Sequence, residues 1–253
     1  MKRHAIVTAL SAIILAASIV PGFALEAVMI RESENPNGPA GAPVPCSIIT
    51  NRNGTCSGTS LNYKWYNVCN NYIWIFNGWV SGEGVGVRFG GPGSNQPCVA
   101  PGKRVKRAIY YFRNIVPSWG QTVDLFLDAD CNNDGCPEGN LGSALNVDPG
   151  RRWNCVNYGV CIPCGGVILR QTHDGGIAPT FATDGPFKSG CDPLHQPTHS
   201  YYYGVNGSSC VPWVRMAVTA PDDFLAWIVI DNDGGCPTAT ENSSWGSVKG
   251  LFQ

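Results

Sequence analysis

The chain is expected to fold as an all-β protein, an antiparallel two-sheet β-sandwich stapled by disulfides. Three observations carry this expectation. Short apolar runs with period-two alternation recur along the sequence, and helical periodicity does not. The 31 Gly and 19 Pro among 253 residues separate those runs with turns. Twelve cysteines, an even number, all lie beyond an N-terminal segment that reads as an export signal, so they are expected to pair.

The export signal comes first in the chain. Lys2 and Arg3 precede an almost unbroken apolar run from Ala5 to Val20. Pro21 ends the run, and Gly22-Phe23-Ala24 offers the small residues that a signal peptidase reads. Residues 1–24 are therefore expected to be a signal peptide cleaved near Ala24, giving a secreted, extracellular or periplasmic protein. The run is short for a membrane span and no second long apolar segment follows, so no membrane span is expected. Cys46 lies too far on to carry a lipid anchor. Cleavage removes two basic residues and no acidic ones, which moves the net charge from −1 to −3. That balance excludes general nucleic-acid binding. Residues 32–45 are too rich in Pro and Gly to pack, so 25–45 is expected to be a flexible lead. Residues 46–253 then form one sandwich domain, a size at which all-β folds commonly stay single.

Strands are expected along the rest of the chain. Tyr72 to Phe76 runs into Asn77-Gly78, and Val85 to Phe89 ends in Gly90-Gly91-Pro92-Gly93. Val105 to Phe112 is rich in aromatics; its start carries Lys103, Arg104, Lys106 and Arg107, which strand spacing divides between two faces. Val123, Leu125 and Leu127 alternate with Asp124, Phe126 and Asp128. Val167 to Arg170, Tyr201 to Tyr203, Val214 to Val218 and Phe224 to Ile230 complete the set. Strands without intervening helices argue for two packed antiparallel sheets. Two of them share an exit: Asp128-Ala129-Asp130 leads to Gly135-Cys136-Pro137, and Asp231-Asn232-Asp233 leads to Gly235-Cys236-Pro237.

The order of these segments resembles secreted bacterial β-sandwich ectodomains of jelly-roll-like form. The features that carry the resemblance span residues 70 to 231. They are Val85 to Phe89, Val123 to Asp130, Pro137 to Leu141, Thr180 to Asp184, Ser200 to Tyr203 followed by Trp213, and Phe224 to Val229. The resemblance implies a jelly-roll-like fold and no particular reaction.

One loop stands out as a candidate site. Asp128, Asp130, Asn132 and Asp134 occupy positions 1, 3, 5 and 7, a spacing of oxygen ligands that suits calcium, and Glu138 could complete the shell. Position 6 is Asn133, which tolerates the left-handed backbone that Gly usually takes there. Position 12 is Gly139, where a calcium loop of this kind wants Glu. The competing reading is an Asx-rich turn whose carboxylates accept backbone N–H groups. Cys131 and Cys136 flank the tip and are expected to pair across it. The second loop, with Asp231 and Asp233, is thinner and reads as a plain turn.

Other constellations are weaker. His195 and His199 have zinc spacing with Asp192 and Cys191 nearby, but Pro193 and Pro197 rule out a regular helix, so two loop histidines are expected. Cys161 and Cys164 have redox spacing without the βαβ context, and with Cys155 close by they read as structural. There is no Gly-x-Ser-x-Gly elbow, and His173-Asp174 before Gly175-Gly176 reads as a turn. Trp65, Trp79, Trp119, Trp153 and Trp245 sit near turns and are candidate sugar platforms, while Trp74 and Trp227 lie in apolar runs and belong in the core.

The expected function is a non-catalytic extracellular module that binds or assembles, with the acidic loop as a candidate calcium brace and a glycan, a surface polymer or another copy of itself as partner. The alternative is an extracellular hydrolase with its site on the sandwich loops.

Overall fold

The computed structural model describes residues 25–31, 60–66, 68, 72–91, 96, 98–113, 121–149, 152–176, 179–184, 199–213, 223–231 and 236. The expected signal peptide, the lead from 32 to 45, Val214 to Val218, Trp119, Trp245, His195 and Asp233 lie outside these residues.

The described strands are, in chain order, Glu26–Arg31 (β1), Ser60–Lys64 (β2), Tyr72–Asn77 (β3), Gly84–Gly90 (β4), Arg104–Arg113 (β5), Val123–Ala129 (β6), Gly139–Val147 (β7), Arg152–Cys161 (β8), Gly166–His173 (β9), Thr180–Asp184 (β10), Ser200–Tyr203 (β11), Cys210–Pro212 (β12) and Ala226–Asp231 (β13). They make two antiparallel sheets, as expected. The first runs β1-β3-β10-β5-β13-β2, with β8 also on β5; the second runs β12-β11-β4-β9-β6-β7. β1 corrects the expectation of a flexible lead from residue 25. Glu26–Arg31 pairs antiparallel with β3 from Glu26 opposite Asn77 to Arg31 opposite Tyr72. Its alternation was hidden by the Pro- and Gly-rich residues that follow.

The core lies between the sheets and follows from the period of two. Val85, Val87 and Phe89 of β4, Val123, Leu125 and Leu127 of β6, and Val167 and Leu169 of β9 all face inward. Leu61 and Tyr63 of β2, Val105, Ala108, Tyr110 and Phe112 of β5, and Ala226, Ile228 and Ile230 of β13 meet them from the first sheet. Each such aliphatic or aromatic side chain stabilises the fold by about 1.5–3 kcal/mol on burial.

The first sheet buries its other face as well. Ile109 and Tyr111 of β5 and Leu225, Trp227 and Val229 beside or within β13 form a second apolar cluster with Ile73, Ile75 and Tyr66. Hence Phe224 to Ile230 reads as an unbroken apolar run rather than an alternating one.

A bulge in β5 keeps Val105 on the inner face with Ala108, Tyr110 and Phe112. The register shifts between Val105 and Arg107 against both neighbours, so Val105 faces inward and Ala108, three residues on, does too. The extra residue, Lys106, is exposed, which places the basic run at a solvated strand start. Among the described residues no helix is long and apolar enough to cross a membrane.

Candidate functional site

The site lies on the outer face of the second sheet. Alternation that sends Leu125, Leu127, Val167 and Leu169 into the core turns Asp124, Phe126 and Asp128 of β6 and Ile168, Arg170 and Thr172 of β9 outward. Arg88 of β4 lies on the same face. Tyr201 and Tyr203 of β11 join Ile168 there in a small apolar cluster. Gly86 lets them settle, since a Cβ at that position would stand 2.8 Å from the Tyr203 ring.

The acidic loop folds back over this face. Two disulfides hold it, and neither is the one expected. Cys131 pairs with Cys164 at a Cα separation of 5.2 Å, and Cys136 pairs with Cys210 at 5.8 Å. The expected Cys131–Cys136 pair is therefore corrected: the loop is stapled outward to the β8–β9 turn and to β12, not across its own tip. Cys161, the other half of the redox-like spacing, pairs with Cys236. Among the described residues no cysteine is free.

Beneath the loop sit two buried acids, each against an arginine. Asp128 is 1 % exposed; its Oδ2 accepts from Arg170 Nε at 2.7 Å and its Oδ1 accepts from Asn140 Nδ2 at 3.2 Å. Arg170 lies 4.0 Å over the Phe126 ring and donates from Nη1 to Thr172 Oγ1 at 3.4 Å. Asp130 is fully buried, with Oδ2 2.8 Å from Arg88 Nε and Oδ1 accepting Gly135 N–H at 3.2 Å. The Arg88 N–H is not aligned with that oxygen, so the contact is an ion pair and not a hydrogen bond. Burial pushes the Asp130 carboxyl up, and the Gly135 N–H and Arg88 oppose that rise.

Asn132 and Asp134 turn the other way and are exposed. Asn132 Oδ1 accepts Asp134 N–H at 3.1 Å, and Asp134 Oδ1 accepts Cys136 N–H at 2.8 Å. The Glu138 carboxylate accepts the N–H groups of Cys131 and Asn132. The first two are Asx-turn bonds, and Glu138 reaches back across the loop; Asn133 lies in the left-handed region at φ 61°. Among the described residues no three His, Cys, Asp or Glu side chains are grouped to hold a metal ion. Gly135 closes the cover: its φ is 82°, its carbonyl accepts Tyr203 Oη–H at 2.8 Å, and a Cβ there would stand 2.0 Å from the Tyr201 ring.

Beside the loop the same face is open. Two hollows of about 300 and about 370 Å³ adjoin, and Arg170 and Asn206 line both. The first reaches under Pro137 and the Cys136–Cys210 bridge; the second runs to Ser81, Thr172, Asp124 and Asp174. Asn206 sits at φ 54° and its N–H donates to Gly82 O at 3.0 Å, which fixes it at the centre of this trough.

His173 marks the far end, and Glu83 is buried near it. His173 is fully buried, and its Nδ1 accepts Gly175 N–H at 2.7 Å. The proton is therefore on Nε2, which donates to Pro179 O at 2.7 Å. Burial lowers its pKa, so it stays neutral. Glu83 accepts Tyr202 Oη–H at 2.6 Å and Val80 N–H at 2.8 Å.

Of the five tryptophans near turns, the three described ones pack within the protein. Trp79 is 2 % exposed and lies in the core. Trp153 packs against Trp227 at 4.3 Å between ring centroids. Trp65 stacks on His199 at 3.5 Å, which accounts for one of the two loop histidines. Arg88, Arg170, Thr172 and Asn206 were not singled out from sequence. The alternation of β9 places Arg170 outward, but its acid lies 42 residues away and no local signal joins them.

Fold and site together define a disulfide-stapled β-sandwich with a polar trough on one outer sheet face. Neither a protein-family model nor a curated protein matches this chain. Among solved structures, a clostridial cysteine protease, Cwp84, after propeptide cleavage is similar over 68 % of this chain and 40 % of that one, with 10 % identity and a TM-score of 0.47. The chain thus spans about two fifths of that protein's length, and a likeness of this degree says nothing about activity.

Proposed function

We propose that the chain is a secreted, non-catalytic binding module that takes a hydroxyl-rich ligand, a glycan, in the trough across Arg170 and Asn206. The adjoining hollows carry the reading. The second hollow is the more polar, and in it Arg170 and Asn206 lie beside Asp124 and Asp174, each carboxylate with one oxygen held inside the protein (by Asn146 N–H and by Thr122 Oγ1–H) and the other left to accept from a sugar hydroxyl. Binding is favoured over hydrolysis because His173 and Glu83 spend their hydrogen bonds within the protein, and Asp128 and Asp130 face arginines.

A glycan panel followed by calorimetry tests this. Asn206→Gly keeps the left-handed backbone and removes the amide, and Thr172→Ala removes one hydroxyl. Each is expected to weaken binding about tenfold, the effect of roughly one lost hydrogen bond, with the thermal midpoint unchanged. A silent panel overturns the glycan; release of new reducing ends from a bound glycan overturns the non-catalytic reading.

The same proposal treats the loop from 128 to 138 as braced by its own side chains. The thermal midpoint is then expected to be equal in calcium and in excess chelator. A rise of several degrees with calcium would instead place a cation on the folded loop, at the exposed Asn132 and Asp134.

A further inference from the structure

We propose that β7 is a self-association edge: two copies pair their β7 strands antiparallel about Ser143 and join their second sheets into one. β7 ends that sheet and pairs only with β6, so one side of its backbone has no strand partner among the described residues. Most of its residues are exposed, and Leu145 is 57 % exposed.

An open edge of this length is normally blunted, by short strands, charges or proline. Three of the other edges are. β12 is three residues long and ends in Pro212, β2 ends in Lys64, and β1 carries Glu26 and Arg31 at its ends. Gly139–Val147 has nine residues with no charge and no proline. β8, the neighbouring edge of the first sheet, is likewise uncharged from Trp153 to Cys161. The two edges lie together, since a Cβ on Gly142 would meet the Tyr158 ring at 2.8 Å. Between Gly139 and Val147 and between Trp153 and Cys161, these two adjoining edges carry no charge.

Neutrality selects the occupant. In an isologous pair each residue meets its own copy or a near neighbour, so a charged strand repels itself and an uncharged one does not. The β6–β7 register shifts between Leu127 and Asp128 and between Val123 and Leu125, which leaves Gly142, Ser143 and Ala144 as the regular centre. Gly142 and Ala144 stand opposite the inward Leu127 and Leu125, and Ser143 opposite the outward Phe126. With Ser143 on the axis, Gly142 meets the second copy's Ala144. Both sheets then keep their inner faces on one side.

Sedimentation velocity on the full disulfide-bonded chain, from low to high micromolar concentration, tests the proposal. The expected result is a mass that doubles with concentration. Ser143→Lys, at an exposed position, sets two ammonium groups on the axis and is expected to raise the dissociation constant about tenfold or more, with an unchanged melting midpoint. Mixing Ser143→Lys with Ser143→Asp is expected to restore the dimer, which shows that both variants fold. A chain that stays monomeric throughout, or an assembly that Ser143→Lys leaves intact, overturns the proposal.

Discussion

Arg170→Leu is expected to lower folding stability by about 3–5 kcal/mol, because it strands the Asp128 carboxylate in a site that water does not reach. Asp128 is 1 % exposed, and its Oδ2 has Arg170 at 2.7 Å. Asn140 alone then remains, on the other oxygen. The guanidinium also shields the Phe126 ring, whose contact is lost with it. The double variant Arg170→Leu with Asp128→Leu is expected to recover much of the loss, since no charge is left uncompensated. Urea denaturation of the single and double variants measures both. A single-variant loss below about 1 kcal/mol would mean that water reaches the carboxylate and that the pair acts like a surface ion pair.

Cutting the Cys136–Cys210 bridge, with both cysteines changed to Ser, is expected to cost about 4 kcal/mol. Chain entropy sets this scale for a closed loop of 74 residues, by the loop-length relation for disulfides. Cutting Cys131–Cys164, across 33 residues, is expected to cost slightly less. The first bridge also holds Gly135 against Tyr201 and Tyr203, so its loss exposes the small apolar cluster beneath. Denaturant melts of the two double variants test the ranking. Peptide mapping without reduction tests the pairing itself: a peptide joining Cys131 to Cys164 is expected, and one containing Cys131 bonded to Cys136 would reject the pairing described here.

Much of the fold was legible because it is local. The inward residues of β4, β6 and β9 follow from period-two alternation, which needs only neighbours along the chain. The turn at His173-Asp174 and the Asx turns of the acidic loop are local in the same way, since side chain and backbone N–H lie two residues apart. β7 and β8 were missed because they carry no strong apolar alternation: one is mostly exposed and Gly-rich, and the other is broken by three Asn and Gly positions. β1 was missed because Pro and Gly crowd the residues after it.

The sandwich class, the turns and the inner faces were therefore determined by the sequence alone, through burial with a period of two. The partners of the cysteines, the Arg170–Asp128 and Arg88–Asp130 pairs, the polar trough and the open neutral edge were decided only by the tertiary structure. Each of these joins groups that are tens of residues apart. Their energies depend on which faces two strands turn to each other, and on how much water the acidic loop excludes when it folds over the sheet. A disulfide forms where Cα atoms come within about 7 Å with their Cβ vectors facing, and closeness in sequence does not decide that. The same loop spacing that suits a cation ligand set thus became a cover whose buried acids face two arginines.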